Sequence, residues 1–103
     1  ADSWLYGGSY NESGSYAQEL QNGFIFSGST ESYGQGLYDV WVLSTDNNGV
    51  EIYSQTFGGN MDDKALGGSK GYNGEPLIIG YTTSFGNGGE DILFIKIDPD
   101  YQP

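Results

Sequence analysis

The chain has 103 residues, 36% of them hydrophobic, which allows one modest core but not two independent ones. Fourteen acidic residues against three lysines, with no arginine or histidine, give a formal net charge of −11, so nucleic acid and anionic membrane surfaces are poor partners. Cysteine is absent, which excludes disulfides and thiolate chemistry, and no apolar run is long enough to predict membrane insertion.

An internal repeat organises the sequence as one domain over residues 1–103, with copies at residues 3–53 and 54–103. Tyr6-Gly7-Gly8 returns as Phe57-Gly58-Gly59, 51 residues later. Residues 24–30 correspond to residues 76–82, and residues 32–34 to residues 84–86. Asp39 returns as Asp91 after 52 residues, so one residue is inserted between the early and late matches.

Each copy contains four segments of β type, bounded by Gly, Asn, Asp and Ser residues that favour turns. In chain order we predict strands at residues 3–6, 15–21, 23–29, 39–45, 50–57, 64–71, 76–82 and 91–98. Residues 23–29 and 92–97 are apolar on both faces apart from Lys96, which favours central strands covered above and below. Residues 50–57 alternate and favour an outer edge, whereas the small residues 65–69 favour a strand crowded near a central axis. No helical periodicity is present, and the predicted fold class is all-β.

Four-stranded units with two apolar faces need neighbouring units to bury those faces. The chain resembles secreted bacterial and archaeal repeats that combine Tyr/Phe-Gly-Gly, Gly-x-Thr-x-Ser-x-Gly and Asp-x-Trp-x-x-Lys-x-Asp motifs and are interpreted as β-propeller-like blades. The matching positions are Gly7, Gly8, Gly28, Thr30, Ser32, Gly34, Asp39, Trp41 and Asp46, then Gly58, Gly59, Gly80, Thr82, Ser84, Gly86, Asp91, Lys96 and Asp98. The opening Trp is replaced by Asp2 and Tyr53, Ser44 replaces the usual Lys, and residues 74–76 break a glycine pair. The resemblance implies two tandem four-stranded propeller-type blades, completed by neighbouring copies, with structural or surface-binding roles and no named reaction.

Catalysis would have to rest on carboxylates, because His, Cys and Arg are all absent. Asp62 and Asp63 are adjacent, but Asp39 and Asp91 occupy one equivalent position per repeat, where a carboxylate that accepts backbone N–H bonds would fix a turn. A glycoside-cleaving enzyme is therefore a weaker hypothesis than a structural or a sugar-binding role, and we predict no catalytic residues.

Calcium is the one cofactor that the acidic loops suggest. Residues 46–49 resemble part of a calcium loop but lack regular acidic alternation and a bidentate Glu, so a hairpin turn is favoured. Adjacent carboxylates such as Asp62 and Asp63 point to opposite faces of an extended chain and would seldom converge on one ion. We predict no metal site and no cofactor.

Exposed aromatic rings could bind sugars. The candidate ligand-binding residues are Tyr10, Tyr33, Tyr38 and Tyr72, which lie in or beside polar loops, whereas Trp41 lies in an apolar strand and is predicted to form inter-blade core. A carbohydrate-binding lectin with aromatic loop sites between blades is therefore the alternative function.

The leading hypothesis is a non-enzymatic structural module whose copies join head to tail into a ring or a filament. An extracellular location, secreted or at the cell surface, is favoured by the Gly- and Tyr-rich, Lys-poor composition and by an opening Ala1-Asp2-Ser3 that suits a signal-cleavage product. The expected partners are copies of the chain itself and, in the alternative, glycans.

The join is predicted to be strand exchange, because the last strand is left without a successor and its edge can accept another strand. Residues 2–6 of one chain would pair with residues 92–98 of the next, or within one chain if flanking repeats are missing. The predicted assembly residues are Trp4, Leu5, Tyr6, Ile92, Phe94, Lys96 and Asp98. The predicted structural turn residues are Gly7, Gly8, Gly58, Gly59, Asp39 and Asp91.

Overall fold

The protein is all-β: a computed structural model describes residues 3–34, 37–86 and 88–98, and these form seven strands in two antiparallel sheets. Sheet 1 has the order β1-β2-β3-β4 and sheet 2 the order β5-β6-β7. The strands of sheet 1 are β1 (Glu12–Leu20), β2 (Gly23–Thr30), β3 (Asp39–Asp46) and β4 (Glu51–Phe57). Those of sheet 2 are β5 (Asp63–Lys70), β6 (Pro76–Thr82) and β7 (Asp91–Lys96). Among the described residues there is no helix long and apolar enough to cross a bilayer.

The repeat is visible in the geometry of the two sheets. The first strand of each sheet carries a bulge at an equivalent place, between Gly14 and Tyr16 in β1 and between Ala65 and Gly67 in β5. In both sheets the second strand pairs with the first and the third along its length. The two copies therefore build the same unit, apart from a fourth strand that only sheet 1 has among the described residues.

The core lies between the sheets. Ile25 and Val42 of sheet 1 pack with Ile97, and Val40 packs with Ala65 and Ile78 of sheet 2. Because side chains alternate along a strand, these residues define an inner face on each sheet, and their neighbours define an outer face.

Polar contacts also join the two sheets at both ends. The amide of Ala65 donates to Ser29 Oγ over 3.0 Å, and the amide of Asp63 donates to the carbonyl of Tyr38 over 2.8 Å. At the far end, Gln18 Nε2 donates to the carbonyl of Gly74 over 2.8 Å. These directional bonds fix how sheet 2 sits on sheet 1.

The two sheets pack head to tail, because the face that sheet 1 turns toward the core is not the equivalent of the face that sheet 2 turns toward the core. Val40 lies on the inner face of sheet 1, but its equivalent Ile92 lies on the outer face of sheet 2. Conversely, Trp41 lies on the outer face of sheet 1, whereas its equivalent Leu93 packs into the core. The outer face of sheet 2 thus corresponds to the inner face of sheet 1.

The structure confirms some of the predicted elements and corrects others. The all-β class is confirmed, and β4 lies at the edge of sheet 1 as its alternation predicted. The strand predicted at residues 3–6 is wrong for the single chain, because residues 3–8 have no regular secondary structure. The central position predicted for residues 92–97 is also wrong: β7 is an edge strand, and its Ile92 and Phe94 are 79% and 60% exposed. The physical reason is the same in both cases, because no described strand lies beside residues 3–6 or beyond the outer edge of β7, so neither segment gains the pairing or cover that its composition favours.

Trp41, predicted to form inter-blade core, does not lie between the two sheets of this chain. It is buried, but on the outer face of sheet 1, where the ring of Tyr33 packs against it at a centroid distance of 5.0 Å. Its Nε1 donates to Ser54 Oγ over 2.7 Å. A loop tyrosine therefore covers the indole on the side where no second sheet lies.

Candidate assembly surfaces

A carboxylate at the start of the first strand of each repeat holds the segment that precedes the strand. In the first repeat this is Glu12, whose Oε1 accepts from the amide of Gly8 over 3.2 Å and whose Oε2 accepts from Thr30 Oγ1 over 2.9 Å. Hydrogen bonds from the hydroxyls of Ser32 and Thr30 and from Gly8 outweigh desolvation and hold the pKa of Glu12 below its ordinary value. Glu12 therefore ties the Gly-Gly turn to the end of β2.

In the second repeat, Asp63 makes the same contacts. Its Oδ2 accepts from the amide of Gly59 over 3.0 Å and from Ser84 Oγ over 2.9 Å, and its Oδ1 accepts from Thr82 Oγ1. Asp63 and Thr82 are both buried, so the carboxylate depends on these donors in place of water. We call Glu12, Thr30 and Ser32 with Gly8, and Asp63, Thr82 and Ser84 with Gly59, the two carboxylate networks.

The Thr and Ser side chains of these networks also hold the loops around them. Thr30 Oγ1 accepts from the amides of Ser32 and Tyr33 over 3.0 and 3.3 Å, and Thr82 Oγ1 accepts from those of Ser84 and Phe85 over the same distances. Ser32 Oγ accepts from the amide of Tyr10 over 2.9 Å, and Ser84 Oγ from that of Met61 over 3.0 Å. The Thr-x-Ser motif is thus a structural device, and it has the same geometry in both repeats.

The predicted glycine turns are crowded at specific positions. A Cβ on Gly8 would lie 2.5 Å from Ser32 Cβ, and one on Gly59 would lie 2.7 Å from Ser84 Cβ. Gly58 has a φ of 152°, and a Cβ there would lie 2.2 Å from an oxygen of Asp39. At Gly7 a Cβ would meet only the flexible end of Glu12, so the requirement for glycine is weaker there.

An aromatic residue precedes each Gly-Gly turn and packs on the sheet that contains the carboxylate network of that turn. The rings of Tyr6 and Phe26 lie 5.3 Å apart on the outer face of sheet 1, and Phe57 packs against the cluster that contains Ile78. Phe26 and Ile78 are equivalent in the repeat, as are Tyr6 and Phe57. The N-terminal segment therefore lies on sheet 1 as the end of β4 lies on sheet 2.

Two further contacts position the N-terminal segment. Tyr6 Oη donates to the carbonyl of Gly49 over 2.6 Å, and Tyr33 Oη donates to the carbonyl of Gly7 over 3.0 Å. The ring of Trp4 covers Gly49, while Leu5 is almost fully exposed. The segment is held in place without a strand partner in the described chain.

The other half of the predicted interface is at the opposite side of the molecule. Strand β7 pairs with β6 and with no other described strand. Ile92, Phe94 and Lys96 lie on its outer face with their side chains exposed, and Asp98 follows as a further exposed residue. The structure therefore separates the two sets of predicted assembly residues and does not join them within one chain.

An open groove of about 560 Å³ lies on the outer face of sheet 1. It is lined by residues 12–17 and 26–28 together with Tyr6, Trp41 and Leu43. The outer face of sheet 2 instead presents exposed apolar side chains, namely Leu66, Ile79, Ile92 and Phe94. One outer face is therefore concave and aromatic, and the other is apolar and protruding.

The candidate ligand-binding tyrosines do not form one site. Tyr10 and Tyr33 lie near each other beside the first carboxylate network, and Tyr38 lies at the same end of the sheets. Tyr72 is fully exposed in the β5–β6 turn, at the opposite end. Tyr33 is engaged by Trp41 and Gly7, and Lys64 Nζ lies 4.0 Å from the ring centre of Tyr38.

The acidic candidates are engaged in local structure. Asp46 Oδ1 accepts from the amides of Asn48 and Val50 over 2.8 and 3.0 Å, which confirms a hairpin turn at residues 46–49. Asp39 is buried next to Gly34, and Asp91 lies next to Gly86 in the equivalent loop. Asp62 Oδ1 accepts from the amide of Tyr38, so Asp62 and Asp63 serve different partners. Over residues 3–34, 37–86 and 88–98, no three acidic side chains are grouped in a way that could hold a metal ion.

The sequence matches no protein-family model, and no curated protein and no solved structure is significantly similar to it. The resemblance to propeller-like repeats therefore stays an interpretation of the motifs.

Proposed function

We propose that the chain is a non-enzymatic structural module, extracellular in location, whose copies join head to tail by strand exchange into a ring or a filament. The N-terminal segment of one copy is the fourth strand of sheet 2 in the next copy. The interaction is heterologous, so closure depends only on the rotation between successive copies.

One observation carries this proposal: Tyr6 lies on Phe26 in sheet 1 as Phe57 lies on the Ile78 cluster in sheet 2. Phe57 is also the last residue of β4 and pairs with Val40 of β3. Tyr6 is the equivalent of Phe57, so by the same relationship it ends a strand that pairs with the equivalent of β3. That equivalent is β7. Because β7 and the N-terminal segment lie on different sides of the chain, that partner comes from a second copy.

The repeat also gives the register of this exchange. Val40 pairs with Phe57, and Val42 pairs with Gln55. The equivalent pairs are Ile92 with Tyr6 and Phe94 with Trp4. An exposed edge of apolar residues is the kind of strand that recruits another strand.

Other functions have less support from the described residues. Asp39 and Asp63 are buried, and Asp63 and Glu12 accept hydrogen bonds from their own networks, as structural carboxylates do. The sugar-binding alternative is weakened because its candidate tyrosines are divided between two ends of the sheets.

Substitution of Leu5 tests the exchange without disturbing the single chain, because Leu5 is almost fully exposed. Leu5→Pro removes a backbone donor and disfavours strand pairing, so we expect oligomers to be lost in sedimentation velocity while the circular dichroism spectrum stays rich in β structure. Leu5→Ala is the matched control and should assemble. Deletion of residues 1–6 should also abolish oligomers. A wild-type chain that stays monomeric at every concentration, or unchanged oligomers after deletion of residues 1–6, would remove the proposal.

A further inference from the structure

The two outer faces of the molecule are equivalent to the two faces already packed together in its core. The inner face of sheet 1 corresponds to the outer face of sheet 2, and the inner face of sheet 2 corresponds to the outer face of sheet 1. The backbone arrangement of the sheet-to-sheet interface can therefore be repeated from one copy to the next, with side chains of different size at the contact.

We propose that the outer face of sheet 2 docks on the outer face of sheet 1 of a second copy, so that the groove on sheet 1 is a socket for Tyr81, Ile79 and Phe94 of its neighbour. This inference rests on the proposed head-to-tail assembly and adds the surface that would bury most of its apolar area.

The sizes of the side chains on the two faces are complementary. Within the chain, the inner face of sheet 1 presents the small buried residues Ser27 and Ser29 to sheet 2. The equivalents of Ser27 and Ser29 on the outer face of sheet 2 are Ile79 and Tyr81, which are larger. The face that would receive them is hollow, because Gly14 and Gly28 line the groove on sheet 1. Larger side chains thus meet a face with room for them.

One pair of opposite charges also meets across the proposed interface. All three lysines of the chain lie in the second repeat, and none lies in the first. In the core of one chain, Ile25 of sheet 1 packs against Ile97. The strand partner of Ile25 is Ser44, whose equivalent in the second repeat is Lys96. Lys96 would therefore approach Thr45 of the next copy, the equivalent of Ile97, and Thr45 pairs with Glu51. The lysine and this glutamate offset part of the like-charge repulsion between copies.

A contact within the chain defines a cross-link that reports the docking. The amide of Ala65 lies 3.0 Å from Ser29 Oγ, and the equivalent pair between copies is Gly14 with Tyr81. A Cβ on Gly14 would have no atom within 4 Å, so Gly14→Cys is tolerated in the single chain. The native chain has no cysteine, which leaves the introduced thiols as the only ones.

The experiment mixes full-length chains that carry Gly14→Cys with differently tagged chains that carry Tyr81→Cys. On mild oxidation we expect the mixed disulfide dimer to dominate over both homodimers, because only the mixed pair brings the two thiols within bonding distance. The double variant Ser29→Cys with Ala65→Cys is the positive control, and it should cross-link within one chain.

A second measurement covers the case in which the geometry prevents a disulfide. The thiol of the Gly14→Cys variant should react with a maleimide more slowly in the oligomer than in the Leu5→Pro monomer. In addition, Lys96→Glu should weaken assembly by about fivefold, and Glu51→Lys in the same chain should restore it.

The outcomes separate the two proposals. Oligomers with no excess of mixed dimer and with equal labelling rates would overturn the docking of faces and leave strand exchange in place, with the groove open to another ligand such as a glycan. Absence of oligomers at every concentration would overturn both.

Discussion

Asp63 accepts a hydrogen bond from the hydroxyl of Thr82, and both side chains are buried. The bond joins the first strand of sheet 2 to the end of the second strand, and the bond from Thr30 to Glu12 does the same in sheet 1. Each bond lies beside the Gly-Gly turn that precedes the first strand of its sheet, a region that we call the junction. The geometry of each junction therefore depends on a few polar side chains.

Thr82→Val should destabilise the protein by about 1–3 kcal/mol, because it removes a donor to a buried carboxylate while it keeps the size of the side chain. Urea unfolding followed by circular dichroism measures this loss. Thr56→Val, at a half-buried position in the edge strand β4, is the control and should change the free energy of unfolding by less. Equal effects of the two substitutions would contradict a structural role for the Thr82 bond.

Acid should destabilise the protein in part through Glu12. The pKa of Glu12 is lowered below its ordinary value of 4.5, first by the Ser32 hydroxyl and then by Thr30 and Gly8. A carboxyl group with a lower pKa in the folded state stabilises that state above its unfolded pKa, and this contribution is lost as the pH falls through the lowered folded value. The urea midpoint should therefore decrease as the pH drops below about 4.5, and it should decrease less for Glu12→Gln. Parallel pH curves for the two proteins would contradict a stabilising role for the hydrogen bonds to Glu12.

The carboxylate networks could be predicted only in part from the sequence. The repeated motifs singled out Gly8, Thr30 and Ser32 and their partners in the second copy, but they did not reveal Glu12 and Asp63 as the acceptors that join them. Those two acids differ in length, and Asp63 follows a second acid, Asp62, whereas Glu12 has no acidic neighbour. A signal was available, because Glu12 and Asp63 are 51 residues apart, the same interval that separates Gly7 from Gly58.

Strand positions within a sheet were less predictable than the strands themselves. The apolar run of β3 predicts a buried strand, and Val40 and Val42 are indeed core residues. The equivalent run in β7 is just as apolar, but burial depends on what lies beside a strand and not on its own composition. For this reason the sequence predicted β7 correctly as a strand and incorrectly as a central one.

Gly58→Ala should lower the free energy of unfolding by about 1–3 kcal/mol, because the new Cβ would meet oxygens of Asp39 and Asp63 at 2.2 and 2.6 Å. The backbone φ of 152° adds strain for any residue with a side chain. Gly67→Ala is the matched control, since a Cβ there would have no atom within 4 Å. Chemical denaturation at low protein concentration avoids a contribution from assembly. A loss for Gly58→Ala no greater than that for Gly67→Ala would show that the junction tolerates a side chain.

Exchange of Tyr and Phe between the repeats tests whether the two junctions are interchangeable. Tyr33 Oη donates to the carbonyl of Gly7, and Phe85 occupies the equivalent position beside Gly59 without a hydroxyl. Tyr33→Phe should cost about 0.5–1.5 kcal/mol, and Phe85→Tyr should gain a similar amount if its hydroxyl reaches the carbonyl of Gly58. Thermal unfolding of both variants measures the two changes. A loss of stability in Phe85→Tyr would mean that the second junction lacks the space present in the first.

Moderate salt should strengthen assembly. Each copy carries a formal net charge of −11, so in the proposed assembly successive copies repel one another at long range. Raising the ionic strength from about 10 mM to about 150 mM shortens the screening length from about 30 Å to about 8 Å, which weakens this long-range repulsion more than a short contact between two side chains. At constant protein concentration, the mean sedimentation coefficient should therefore rise across the salt series. The variant lacking residues 1–6 is the control and should sediment as a monomer throughout. A fall in oligomer size with added salt would mean that local ion pairs such as those of Lys96, and not apolar burial and strand pairing, hold the copies together.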